Sequence, residues 1–164
     1  HTLNLTHRQI EILCILALHP HGIGLEELHY ALYGERSVSL KTLKAELSQL
    51  RSLLPHSIEA RIYRLTCEVQ CDFLRAEQSL NANLISSTFS LYKGSFLSKS
   101  ESPLLSTWRH CFDARLSQLI YQIKDIDQLL RIIGQTHDRI DAVQRLLELL
   151  PQDSIHRNYF SNLI

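Results

Sequence analysis

The chain has 164 residues, 45% of them apolar, with few Gly and Pro and equal numbers of acidic and basic side chains. That length can bury a core as one domain or as two small ones, and the composition excludes disordered, low-complexity and collagen-like chains. Charge interrupts the apolar runs every few residues, so none reaches the roughly 20 residues that span a bilayer. No basic, apolar, small-residue signal opens the chain, and the expectation is a cytoplasmic protein. Methionine is absent, which points to a fragment cut from a longer protein, with His1 set aside as a cloning remnant.

In chain order, Thr6 suits the N-cap of a helix over about 7–19, with apolar positions at Ile10, Leu13, Cys14, Ala17 and Leu18. Pro20 and Gly22 in "HPHG" stop it. "LEELHYALYG" sets Leu25, Leu28, Ala31 and Leu32 on one side of a second helix, which Gly34 ends. The third helix, "SVSLKTLKAELSQLRSLL", is capped by Ser37 or Ser39 and ended by Pro55. At the helical period, Leu40, Leu43, Leu47, Leu50 and Leu54 fall within an arc of about 80 degrees. Lys44 and Arg51 flank one border of that stripe, Lys41 and Ser48 lie opposite it, and Glu46 sits on the other border.

After Pro55, "SIEARIYRLTCEVQCDF" alternates β-branched and apolar residues with polar ones, which predicts one or two strands forming a hairpin at about 58–71. From residue 73 the pattern is helical, with helices over about 73–81, 83–93, 103–123, 125–134, 138–150 and 153–163. Breaks fall at "YKGSF", "SESP", Gly134 and Pro151, and the last two helices read as an antiparallel hairpin of a helical repeat. The expected fold is mainly α. Residues 1–72 form a winged helix-turn-helix domain of three helices plus a β-hairpin wing, and residues 73–164 an all-α, helical-repeat-like module.

Net charge is zero but unevenly spread. Residues 1–35 hold one Arg against four Glu, whereas Arg36, Lys41, Lys44, Arg51, Arg61 and Arg64 face only Glu46 and Glu59 over residues 36–64. Local potential of this kind attracts a polyanion even when total charge is nil.

Catalytic motifs are missing: there is no Gly-rich phosphate loop, no Gly-x-Ser-x-Gly elbow and no His-Glu-x-x-His, and no enzyme is expected. Asp125 with Asp127 and Asp138 with Asp141 fall at helix starts, where the dipole favours carboxylates. Cys14, Cys67, Cys71 and Cys111 are read as buried thiols. "CEVQC" would set Cys67 and Cys71 on one strand face, but no second pair completes a zinc site. Tyr92, Trp108 and Phe112 read as helix-packing residues, Arg109 and Arg115 as solvated or inter-domain ones, and His110, His137 and His156 as surface residues. No cofactor or metal is expected.

Five stretches resemble OmpR/PhoB-type and SARP-type bacterial transcriptional regulators, in which a winged helix-turn-helix precedes a bacterial transcriptional activator domain. "LTHRQIEILCILAL" is similar to the opening helix, "LKAELSQLRSLL" to the recognition helix, and "RIYRLTCEVQCDF" to the wing that leads to an Asp, here Asp72. "LYKGSFLSKSESPLLSTWRHCFDARLSQL" and "LLELLPQDSIHRNYFSNLI" are similar to parts of the activator domain. Gln49 stands where that family usually has Arg, and Ile62 where a Gly usually precedes the wing Tyr. The resemblance implies a regulator whose helical module serves self-association as a homodimer or contact with RNA polymerase, and whose sensory or receiver region precedes residue 1.

The expected partner is double-stranded DNA, with helix 40–54 in the major groove and the wing on the backbone. Lys41, Lys44 and Arg51 would neutralise phosphates, and Ser39, Thr42, Ala45, Ser48 and Gln49 are short or flexible enough to approach the bases. Arg61, Tyr63 and Arg64 would extend that surface through the wing. The competing expectation is a protein-interaction scaffold that binds no DNA.

Overall fold

The structure, a computed structural model, describes residues 3–136 and 138–162, and the side chains of residues 155 and 156 are not part of that description. His1, His137 and the His156 side chain therefore lie outside the described residues, as does the end of the helix expected to reach residue 163. Among the described residues the regular elements are all α-helices: α1 (His7–Leu18), α2 (Leu25–Tyr33), α3 (Leu40–Leu53), α4 (Asp72–Asn81), α5 (Ile85–Leu91), α6 (Pro103–Gln122), α7 (Ile126–Gln135), α8 (Ile140–Leu149) and α9 (Ile155–Ser161). The chain divides into two compact units, one of His1–Cys71 with Leu97–Trp108 and the other of Asp72–Phe96 with Arg109–Ile164.

In the first unit, α1 starts on a reciprocal cap: Gln9 N–H donates to Thr6 Oγ1 at 3.2 Å and Thr6 N–H donates to Gln9 Oε1 at 3.0 Å. Its most buried face is Ile12, Ile15 and Leu16 together with Gln9 and Glu11. Gly22, at φ +94°, turns the chain toward α2, and a Cβ there would sit 2.3 Å from Ile62 Cγ2. Gly24 N–H donates to the Glu27 carboxylate at 3.1 Å as α2 begins, and Gly34 ends that helix at φ +59°. His29 Nε2–H donates to Val38 O at 2.7 Å, which pins the connection into α3.

Leu43, Leu47 and Leu50 are buried along α3, whereas Leu40 is 37% exposed, so the expected leucine stripe stops short of the first turn. The segment Leu97–Trp108 is tied into this unit by polar bonds. Ser102 Oγ donates to Ala31 O at 2.7 Å and accepts from Leu105 N–H at 3.3 Å. Arg36 grips Glu101 twice, Nη1 to Oε2 at 2.7 Å and Nη2 to the carbonyl at 2.9 Å.

The expected β-hairpin wing, and with it the winged helix-turn-helix fold, is overturned: the described residues contain no β-strand, while the mainly α expectation fits. In place of strands there are two isolated antiparallel bridges, Ile23 with Tyr63 and Ile58 with Leu65. No backbone ladder continues past the bond from Thr66 N–H to Ser57 O at 3.0 Å. The reason lies in burial. A two-stranded hairpin is marginal unless one face packs on something, and here Ile62, Cys67 and Val69 are all exposed. Ile58 alone of this stretch enters the core.

In the second unit α4 packs on α5, α5 on α7, α7 on α8 and α8 on α9. Its core holds Phe73, Leu80, Phe89, Phe112, Leu116, Ile120, Leu129 and Leu146. Asn83, at φ +55°, ends the α4 turn in the left-handed region that Asn tolerates. The break expected at Gly134 does not occur; α7 runs through it to Gln135, where an added Cβ at Gly134 would meet nothing within 4 Å. Arg157 Nη1 donates to Leu147 O and Leu150 O at 2.8 and 2.9 Å, which satisfies carbonyls at the end of α8.

Candidate nucleic-acid interface

The exposed side of α3 follows from its buried side. With Leu43, Leu47 and Leu50 sealed, Lys41, Thr42, Lys44, Ala45, Ser48, Gln49 and Arg51 all reach solvent. Ser39 starts the helix, its Oγ accepting from Thr42 N–H at 3.3 Å and lying 3.1 Å from Thr42 Oγ1. Arg51 falls in the last turn, where the helix dipole favours a cation.

The sole acidic residue of α3 does not share this surface on equal terms. Glu46 is half-buried, and its Oε2 is buried without a hydrogen bond. Among the described residues Lys41, Lys44 and Arg51 have no ion-pair partner. The face is thus positively charged, and its cations are not already committed to internal carboxylates.

The three residues expected in the wing behave differently from one another. Arg61 is exposed and unpaired among the described residues. Arg64 is exposed too, but its Nε holds Glu59 Oε2 at 2.5 Å. Tyr63 is half-buried and exchanges two backbone bonds with Ile23, at 2.9 and 3.0 Å. This segment is therefore docked on the turn between α1 and α2 by its backbone, and of its expected contacts only Arg61 stands free.

Residue types in sequence gave no warning of a buried polar cluster behind α1. Glu11 is almost fully buried, accepts from Ser100 Oγ at 2.5 Å, and faces Arg8 Nη1 at 2.7 Å and His7 Nε2 at 3.5 Å. Arg8 also lies over the Tyr33 ring, 4.7 Å from its centroid. Burial pushes the Tyr33 phenol up from its ordinary range, with Arg8 pulling it back. Ser100 is 89 residues from Glu11 along the chain, beyond the reach of any local pattern.

The second unit has its own buried ion network. Arg139, 8% exposed, pairs with Asp141 and with Asp113 at 3.5 Å, and donates to Ser117 Oγ at 2.8 Å. Tyr92 O–H donates to Asp138 Oδ2 at 2.7 Å, and burial pushes its phenol above the ordinary range. These bonds join residues on different elements and read as structural. Of the expected helix-start carboxylates, Asp125 caps α7, accepting from Asp127 N–H at 2.9 Å, and Asp127 and Asp141 lie in the first turns of α7 and α8; Asp141 also pairs with Arg139, and Asp138 accepts from Tyr92.

Cys67 and Cys111 are exposed, which corrects their reading as buried thiols. Among the described residues no three His, Cys, Asp or Glu side chains converge as a metal site would require. Nor is any helix there long and apolar enough to cross a membrane.

No family model matches the chain. It is similar to an uncharacterized 47.3 kDa protein in the thcA 5'region of Rhodococcus erythropolis, 28% identical over 140 residues, which cover 85% of this chain and 32% of that protein. The chain thus spans about a third of the length of the curated relative it matches.

Proposed function

We propose that the chain is a DNA-binding regulator of transcription, in which α3 enters the major groove of double-stranded DNA. The observation that carries this reading is the face of α3, where Lys41, Lys44 and Arg51 stand unpaired beside Thr42, Ala45, Ser48 and Gln49, with Leu43, Leu47 and Leu50 turned inward. An α-helix fits the major groove, cations at its borders neutralise phosphates, and short polar side chains between them reach base edges. Arg61 adds a phosphate contact from the neighbouring segment. The resemblance of the sequence to OmpR/PhoB-type and SARP-type regulators supports the same reading. Under it the second unit serves self-association or contact with RNA polymerase in the cytoplasm.

The test is fluorescence anisotropy with a pool of random duplex DNA at low salt, followed by selection and sequencing of the bound fraction. Binding that survives into an enriched motif supports the proposal. Absence of binding at low salt overturns it and leaves the scaffold reading, which draws on Leu84, Tyr121, Ile140 and Tyr159 as exposed apolar residues of the second unit.

A further inference from the structure

Within the first unit, between α2 and the start of α6, lies an open groove of about 1030 Å3. Its floor is apolar: Leu18 at the end of α1, Ile23, Ala31, and Leu104 with Trp108 from the start of α6. Its rim holds Glu26, Glu27 and Tyr30. The volume is at the upper end of the roughly 300–1,000 Å3 typical of small-molecule sites, yet the cavity is an open trough and not an enclosed pocket. A segment of chain suits it better than a compact ligand.

We infer that this groove receives a cationic amphipathic segment of a protein partner, with apolar side chains on the floor and Lys or Arg against Glu26 and Glu27. Charge decides the occupant. No Lys or Arg lines the groove, and α2 itself carries neither. His19, the basic-type residue that does line it, has Nδ1–H committed to Ile15 O at 2.7 Å. Glu27 spends one oxygen on Gly24 N–H, and Glu26 has no partner among the described residues. Both carboxylates are exposed, so an approaching acidic segment is repelled and a basic one is steered in.

Tyr30 strengthens the case. It is 63% exposed at the rim, and an aromatic ring in that position can take an Arg or Lys on its face while its edge packs on apolar side chains. Apolar anchors at helical spacing in a groove, flanked by complementary charge, are how amphipathic helices are recognised. The wall is anchored as well, because Ser102 and Glu101 fasten the start of α6 to α2 and to Arg36. The partner surface is separate from the α3 face, where the charge is of the opposite sign.

Trp108 lines the groove and is the one tryptophan in the chain, so its emission reports occupancy of this site alone. The full chain is titrated with a Trp-free Leu/Lys amphipathic peptide of about 14 residues, long enough for helix formation on binding, and with its Leu/Glu counterpart. The Leu/Lys peptide is expected to shift Trp108 emission with micromolar affinity, and the Leu/Glu peptide to leave it unchanged. Glu26→Lys combined with Glu27→Gln, which keeps a cap acceptor, should weaken binding at least about tenfold. Tyr30→Ser, at an exposed position that does not threaten folding, should weaken it about fivefold. Lys44→Ala with Arg51→Ala should not change it. Equal binding of the two peptides, no emission change with either, or an affinity indifferent to both rim variants overturns the inference.

Discussion

Counterion release turns the α3 proposal into a number. On α3 and the segment that follows it to Cys71, the exposed cations with no ion-pair partner among the described residues are Lys41, Lys44, Arg51 and Arg61, while Arg64 is held by Glu59. If those four meet phosphates, log K falls against log salt with a slope of about −3.6, so raising salt from about 50 to 200 mM weakens binding about 150-fold. With Lys44→Ala and Arg51→Ala the slope drops to about −1.8, and the same change in salt costs only about twelvefold. Glu59→Gln works the other way: it frees the Arg64 guanidinium, and the slope steepens by about 0.9. Surface ion pairs of this kind contribute about 0–1 kcal/mol, so the substitution leaves the fold intact. The assay is anisotropy with one duplex across a salt series. A slope unchanged in the double variant would show that α3 does not lie on the phosphates, whatever the absolute affinity.

Other predictions concern what holds each unit together. Ser102→Ala leaves the Ala31 carbonyl and the Leu105 N–H buried without their shared hydroxyl, and should cost about 1–3 kcal/mol in urea denaturation. Gly34 sits at φ +59°, ψ −130°, with Pro103 Cγ 3.1 Å from where a Cβ would be; Gly34→Ala should cost about 1–3 kcal/mol, read as a lowered melting temperature. Burial raises the Asp113 carboxyl above its ordinary range, against the pull of Arg139. Its folded pKa therefore exceeds its unfolded one, and its contribution to stability is present below about pH 4 and lost as pH rises through the folded value. Denaturation midpoints of the wild type relative to Asp113→Asn should fall across that window, and a difference that grows with pH would contradict the burial argument.

Local rules recover the helices because local rules make them. Thr6 and Gln9 cap one another three residues apart, Ser39 caps α3, and Leu43, Leu47 and Leu50 bury at the spacing the helix dictates. Each depends on neighbours within a turn. The helix at α7 shows the limit of the same reasoning: Gly134 was expected to end it, but an exposed glycine whose added Cβ would meet nothing within 4 Å costs the helix only about 1 kcal/mol. Packing of Leu129 and Ile132 outweighs that.

Strand formation is not local in this sense, and there the pattern misleads. Residues 58–71 alternate as a strand does, but alternation predicts a strand only where a second surface waits to cover the apolar side. Ile62 and Val69 find none and remain exposed, so the chain stops at two bridges. The same dependence on distant partners separates the residues of the candidate site. Much of the exposure on α3 could be read from the arc of its leucines, because most residues off the Leu43–Leu47–Leu50 face reach water, Glu46 being half-buried. Whether a cation there is available is a question about pairing. Arg61 and Arg64 are alike in sequence, three residues apart, yet Glu59 reaches one and leaves the other. A basic segment is therefore an upper bound on a phosphate-binding surface, and subtracting the cations already bound to carboxylates gives the count that salt dependence measures.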